Sequence, residues 1–193
     1  VVYIDTNGNG DYTCDGIDDQ IEINQAINDI YAAGGGIVHL NASTYIINDS
    51  IILKSNVVLE GDGENSTIIK LQDQNNRDNW RLIYGINVIN VTLQNFTLDG
   101  NKANQSGLNQ NDMVHGIYFY QSSHITIRNI TVLNVFTDCF YLVSSHDCEI
   151  CDCTAKNSSH DGFRLDSCER IRIANDLAWN VGAHGIRLFD TSY

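Results

Sequence analysis

The chain contains no proline. Proline cannot donate into a hydrogen-bonded ladder, so its absence is consistent with uninterrupted β-ladders along the chain. Basic residues are scarce: 11 Lys and Arg stand against 24 Asp and Glu, a formal net charge of −13. That balance argues against nucleic acid as a partner, because phosphate contacts need a basic face. It also sets a condition on any acidic polymer, which would need a local basic patch or a bound cation. No apolar run approaches the roughly 20 residues of a membrane-spanning helix. The chain opens on the alternating Val1-Val2-Tyr3-Ile4, which reads as a mature or trimmed chain.

What remains is 42 % hydrophobic, sufficient for a core and unlike a disordered chain. One domain over residues 1–193 is expected. Eight Asn-x-Ser/Thr sequons (Asn41, Asn48, Asn65, Asn90, Asn95, Asn104, Asn129 and Asn157) point to an extracellular or cell-surface glycoprotein, although an Asn- and Thr-rich β-protein inflates such a count. The six cysteines do not define a redox compartment. Cys148-x-x-Cys151-x-Cys153 has the look of a metal cluster. Strand alternation instead sends Cys148 and Cys153 inward as small hydrophobes.

The strongest positive signal is a repeat. His115-Gly116-Ile117, Asp138-Cys139-Phe140, Asp161-Gly162-Phe163 and His184-Gly185-Ile186 begin successive units 23 residues apart. A fixed period of this length with short strand patterns inside it marks a solenoid. The expected fold is all-β, a right-handed parallel β-helix of about 23 residues per coil. Residues one period apart then become neighbours at about 4.8 Å. Ile117, Phe140, Phe163 and Ile186 form one expected inward stack, and Phe119, Leu142, Leu165 and Leu188 the next. Asn134, Asn157 and Asn180 form an amide ladder. Asn56-Val57-Val58-Leu59, Asn90-Val91-Thr92-Leu93 and His124-Ile125-Thr126-Ile127 repeat at 34 residues, the same coil with an insertion. The second insertion, Gly100 to Met113, is expected to wall a groove. Residues 17–33 read as an amphipathic helix with Ile17, Ile21, Ile27, Ile30 and Tyr31 on its apolar stripe, ended by Gly34-Gly35-Gly36. Residues 1–35 would thus be the N-terminal strand and cap, and 36–193 the coils. The sequence stops one strand into a coil, so a longer chain is expected, with part of any site beyond Tyr193. The protein is expected to be a monomer or part of a multidomain chain.

Asp15-Gly16-Ile17-Asp18-Asp19, Ile23-Asn24-Gln25-Ala26-Ile27, Gly34-Gly35-Gly36-Ile37-Val38, Thr44-Tyr45-Ile46-Ile47 and Gly61-Asp62-Gly63 with Ser66-Thr67-Ile68-Ile69 resemble the N-terminal portion of pectate-lyase-like right-handed β-helix proteins. The opening Tyr3 to Tyr12, with Cys14-Asp15-Gly16, resembles archaeal surface proteins of the disaggregatase type. The resemblance covers nearly the whole chain. It implies a polysaccharide ligand and an activity among lyases, hydrolases and epimerases. Gly182-Ala183-His184-Gly185-Ile186 and Ser159-His160-Asp161-Gly162-Phe163 are similar to two polygalacturonase motifs. The adjacent aspartate pair of that family is absent, and Arg170-Ile171-Arg172 precedes His184 instead of following it.

The strand opening each unit carries the candidate chemistry. Its first position reads His115, Asp138, Asp161, His184, its fourth Tyr118, Tyr141, Arg164, Arg187, and its sixth includes Tyr120 and Asp166. All three positions are expected to face outward. Asp138 and Asp161, His115 and His184 are the catalytic candidates, with one carboxyl expected to titrate high beside the other. Arg164, Arg187, Tyr118, Tyr141 and Asp166 are the candidates for holding an acidic glycan. A Tyr, His or Arg would take the proton in a lyase or epimerase. The rival expectation is a non-catalytic glycan-binding or structural surface module, since Asp and His also favour turns. Asp5-x-Asn7-x-Asn9-Gly10-Asp11 matches the first half of a Ca²⁺ loop, although Gly16 stands where a bidentate Glu belongs. Calcium is the possible cofactor.

Overall fold

The computed structural model describes residues 1–108 and 113–190. It is a right-handed parallel β-helix with one N-terminal α-helix. Every strand pairing among the described residues is parallel. A six-stranded sheet stacks Ile51–Ile52, Trp80–Ile86, Val114–Tyr120, Phe140–Val143, Phe163–Asp166 and Ile186–Phe189. The remaining strands form a twelve-stranded sheet that wraps the other sides.

The expected period is the observed register. Ile117 pairs with Phe140, Phe140 with Phe163 and Phe163 with Ile186. The rings of Phe140 and Phe163 stack at 4.8 Å with planes 6° apart. The 34-residue coils align as expected, Val58 on Thr92 and Val91 on Ile125. Ile186 and Leu188 share the inward columns but are about half exposed, since no rung lies over them among the described residues.

Each regular coil turns at four left-handed residues in fixed columns. These are Gln121, Ser144, Ser167 and Asp190; His124, Asp147 and Arg170; Asn129, Asp152 and Asn175; and Asn134, Asn157 and Asn180. Asparagine tolerates positive φ because its short polar side chain bonds locally. Where a column is asparagine, the amides bond along the axis: Asn180 donates to Asn157 at 2.8 Å, Asn157 to Asn134 at 3.2 Å and Asn134 to Asp99 at 2.9 Å. Asn129 donates likewise to Asn95, and Asn90 to Asn56. Four sequon asparagines (Asn90, Asn95, Asn129, Asn157) therefore belong to corner ladders. The sequon count partly reports coil geometry.

The helix is Gln20–Ala32, shorter than expected. Its buried face is Gln20, Ile23, Ala26, Ile27 and Ile30, so Ile27 and Ile30 are as expected. Ile17, Ile21 and Tyr31 are exposed, which corrects the expected stripe. The helix starts three residues late because Asp19 is used elsewhere: its carboxylate accepts Gly16 N at 2.9 Å and Ile46 N at 2.7 Å, pinning the helix entry to the coil. Gly35 ends the helix at φ +111°, and a Cβ there would lie 2.4 Å from Asn56 O.

Cys148 and Cys153 point into the core as alternation requires. Burial pushes their thiols up to about 11 and about 12, and that of Cys139 to about 12. A protonated thiol neither attacks nor ligates. Thiol-reagent titration of the native protein should therefore label Cys151, the one half-buried cysteine, with the other five reacting only on unfolding. Fast labelling of a second thiol would contradict this packing.

The N-terminal Asp-Asn loop, the candidate calcium half-site, is closed by its own hydrogen bonds. Asp5 accepts backbone N–H groups from Gly8 at 3.1 Å and Asn9 at 2.8 Å, Asp11 accepts Tyr3 N at 2.8 Å, and Asn7 accepts from Asn9. Both Asp5 oxygens, Asn7 Oδ1 and one Asp11 oxygen serve the turn's own donors, and Asn9 is one of those donors.

Candidate functional site

The outer face of the six-stranded sheet carries one continuous column, Ile52, Tyr84, Tyr118, Tyr141, Arg164 and Arg187, each in register with the next. The fourth position of the repeat thus faces outward as expected. The first position does not. His115, Asp138 and Asp161 are at most 1 % exposed, and of this column only His184 is open. The reason is local. Asp138 and Asp161 sit in the turn before the strand, where the side chain folds onto the next rung: Asp138 Oδ1 accepts Asp161 N at 3.1 Å and Asp161 Oδ1 accepts His184 N at 3.0 Å, whereas His115 lies within the strand Val114–Tyr120, two residues before the inward Ile117.

Folding inward assembles an alternating chain of acids and imidazoles along the axis. His115 Nδ1 lies 3.2 Å from Asp138 Oδ2. His160 Nδ1 lies 2.6 Å from Asp138 Oδ1 and 3.2 Å from Asp161 Oδ2. His184 Nδ1 lies 2.8 Å from Asp161 Oδ1. The remaining charge is met by Arg164 Nη1, 3.5 Å from Asp138 Oδ2, and Arg187 Nη1, 3.7 Å from Asp161 Oδ2. An ionised carboxylate only accepts, so Nδ1 of His160 and of His184 carries the proton and Nε2 is left for a ligand. His160 is about one-third exposed. Its column mates Thr137 and Ala183 share none of its chemistry, so the repeat does not mark it as a site residue.

The acid pair does not behave as two bare carboxylates would. Burial pushes the Asp138 carboxyl up, but the contacts from His115 and His160 and the Asp161 N–H outweigh it, and Asp138 lies below its ordinary 3.8. Asp138 is therefore not the raised carboxyl that the sequence leads one to expect, and His160 stands between the two acids. The sign for stability follows. The folded state binds fewer protons at Asp138 than the unfolded chain, so the stabilisation is present above about pH 4 and lost as pH falls through the lowered value. Asp138→Asn should lower stability by about 1–3 kcal/mol at neutral pH. Urea melts across the acid range should show that difference shrinking; a constant difference would refute the linkage.

Arg164 is held by Asp166, with Nε and Nη2 at 3.0 and 2.7 Å from Oδ2, and its guanidinium lies 4.4 Å above the Tyr141 ring. Tyr141 donates to the same oxygen at 2.7 Å. Asp166, expected to hold substrate, is therefore an anchor for Arg164 and Tyr141. Burial lowers the Arg164 guanidinium, but Asp166, Tyr141 and Asp138 reverse this and it is raised overall. Burial and the Asp166 bond raise Tyr141 far above the usual phenol range, and burial raises Tyr118 despite Arg81 beside it. The phenols and Arg164 stay protonated at neutral pH, which leaves the imidazoles as the groups able to take a proton.

Asp138, His160 and Asp161 each offer an atom within 4.8 Å of one another, a spacing that a metal ion can bridge. Asp138 Oδ2 and Asp161 Oδ2 are buried without a hydrogen-bond partner among the described residues; His115 and Arg164 face the first at 3.2 and 3.5 Å, and Arg187 faces the second at 3.7 Å. Arg77, Arg81, Arg164 and Arg187, four of the 11 basic residues, border this one face; Arg77 is paired with Asp49, Arg164 with Asp166 and Asp138, and Arg187 with Asp161. The insertion Gly100 to Met113 touches the site through Lys102, whose Nζ donates to Asn157 O at 2.8 Å and Ser159 Oγ at 3.2 Å, next to His160. Residues 109–112 of the expected wall lie outside the described residues.

Coils in parallel register define a solenoid whose six-stranded sheet carries a column of tyrosines and arginines on its outer face. Residues 28–193 match the family described as right handed beta helix region, and the chain belongs to that family. It is 31 % identical to mannuronan C5-epimerase AlgE1 of Azotobacter vinelandii over 91 % of this chain and 14 % of that protein. It is 27 % identical to alginate lyase 7 of the same organism over 91 % of this chain and 22 % of that protein. The chain thus spans less than a quarter of either relative. The A-module of mannuronan C-5 epimerase AlgE6 superimposes with a TM-score of 0.71 at 24 % identity, over 89 % of this chain and 55 % of that one.

Proposed function

We propose that this chain forms the groove-bearing part of an extracellular enzyme that acts on an acidic polysaccharide by proton transfer at the carbon next to a uronate carboxylate. One observation carries this reading: the alternation His115–Asp138–His160–Asp161–His184, with Arg164 and Arg187 beside it on an open face. An arginine pairs with the substrate carboxylate and stabilises the negative charge that builds on it. The Nε2 of one imidazole removes the C5 proton, and the C–H electron pair moves into the carboxylate. From that enolate, either the C4–O bond breaks and the second imidazole, as imidazolium, protonates the departing oxygen, or a proton returns to the opposite face of C5. The first outcome is a lyase, the second an epimerase. Asp138 and Asp161 are positioning residues here: buried, they fix the tautomer and stabilise the imidazolium.

Burial of both carboxylates disfavours the hydrolase alternative, in which a carboxyl must reach the glycosidic oxygen or the anomeric carbon. Tyr118 and Tyr141 would stack on sugar rings along the groove. The related epimerases and lyase act, by their names, on mannuronan and alginate, and this supports a polyuronate as substrate. An acidic surface and the exposed sequon at Asn65 support an extracellular location.

The test is incubation with polymannuronate, polyguluronate, polygalacturonate and a neutral glucan. A lyase yields fragments with an ultraviolet-absorbing unsaturated end; an epimerase run in deuterated water places deuterium at C5 without cleavage. Binding without either product would make the protein a glycan-binding module.

A further inference from the structure

We infer that a second, distal sugar-binding site lies at the N-terminal end of the same face, in the cavity between Arg81, Arg77, Trp80 and Tyr84, and that it takes an anionic sugar unit. The cavity measures about 380 Å³. Arg81 is its distinguishing feature. In a chain with more than twice as many acids as bases, it has no carboxylate within ion-pair distance among the described residues. Its Nε is buried with no hydrogen-bond partner. A buried, unmatched guanidinium nitrogen is unfavourable until an acceptor completes it, and an anionic oxygen does so most strongly.

The neighbours fit a sugar and not merely an anion. Arg81 lies 4.6 Å over the Tyr118 ring, which fixes the guanidinium plane. Tyr84 is partly exposed one rung below Tyr118, in register with it, and offers a ring face. Trp80 is held from behind by Nε1 to Ser50 Oγ, and that hydroxyl donates to Arg81 O at 2.6 Å, so the wall is rigid. Arg77 stands over Trp80 at 4.9 Å and pairs with Asp49 at the exposed rim, at 2.8 Å. A weak exposed pair of this kind yields readily to a ligand carboxylate or sulfate.

Position gives the site its meaning. Arg81 is in register with His115, and Asp161 lies two further rungs along. Three rungs are about 14 Å. An occupant that reaches both the cavity and the imidazoles is an oligosaccharide with charge at both ends. This rests on the acidic-polysaccharide reading above and deepens it: the substrate would be a chain several units long, charged throughout, and short fragments would be poor ligands.

The experiment uses Trp80 as the reporter in a Trp179→Phe background. Oligomannuronates of graded length, sulfated galactan fragments and neutral glucan fragments are titrated by fluorescence and calorimetry. The expected result is a fluorescence response to acidic fragments alone, with long oligomannuronates binding more tightly than dimers. Arg81→Gln should reduce that long-to-short ratio by about ten- to a hundredfold. Arg77→Gln, at the exposed rim, should reduce it by a smaller factor and guards against misfolding of the Arg81 variant. A response to sulfated but not uronic fragments would identify a sulfate ester as the anion and keep the site. If oligomannuronate is processed and its length dependence is the same in Arg81→Gln and Arg77→Gln as in the parent, the distal site is refuted and the enzymatic reading stands. If the Arg81-dependent response is present but no polymer is turned over, the enzymatic reading fails and the site stands. No response and no turnover with any acidic chain would overturn both.

Discussion

Phe140→Ala is expected to destabilise the protein by about 3–5 kcal/mol, measured by urea unfolding, the range for removing a large aromatic from a packed core. Phe140 has no exposed surface and is stacked on Phe163 at 4.8 Å. Ile117 lies on its other side, in register. A solenoid's stability is close to a sum of rung energies and nearest-neighbour interfaces, so a void here weakens two interfaces at once. Ile186→Ala is the internal control. It occupies the same column but is half exposed at the last described rung, and the loss should be well under half as large. Equal losses at the two positions would mean that the column does not carry the stability of the coil stack.

The other large effect is catalytic. His160→Gln and His184→Gln should each reduce kcat on a polyuronate by about 10²–10⁴-fold with KM changed much less, because each removes a proton-transfer group and leaves the groove in place. Asp161→Asn should also lower kcat. The amide cannot hold Nδ1–H of His184 as the carboxylate does, and it weakens the contact to Arg187 at the same time. Wild-type turnover in both histidine variants would end the acid–base assignment. A rise in KM with unchanged kcat would reassign these histidines to binding alone.

On the proposed reading, an acidic protein would have to meet an acidic polymer without bulk attraction. The net charge of −13 is spread over the chain, whereas the arginines bordering the groove are concentrated on one sheet. At physiological ionic strength charges more than about 8 Å apart are largely screened, so the groove's own arginines and their aspartate partners, not the net charge, act on a chain that is close. Asp166 contributes indirectly, holding Arg164 against Tyr141 so that its orientation costs little on binding.

The repeat carried the fold into view because a period of 23 residues is a statement about space: stacking converts it to register, and the inward columns at Phe140, Phe163, Leu142 and Leu165 were determined by it. The outward column from Tyr118 to Arg187 was equally legible, since alternation within a strand has only two faces. The helix stripe was misjudged at Ile17, Ile21 and Tyr31, because a short amphipathic segment admits more than one register until the surface beneath it is known. Arg81 was within reach of the sequence: the same 34-residue interval that aligns Asn90 with His124 sets Arg81 beside His115.

By itself, then, the sequence determined the coil, its period, the core columns and which side chains share a face. Only the tertiary structure decided how the first residue of each unit is used. Alternation says nothing about a residue in a turn, and there the backbone bends Asp138 and Asp161 onto the N–H groups of the next rung. That bend buries the carboxylates, brings in His160 from outside the strand, and converts a row of surface charges into a chain of oriented imidazoles.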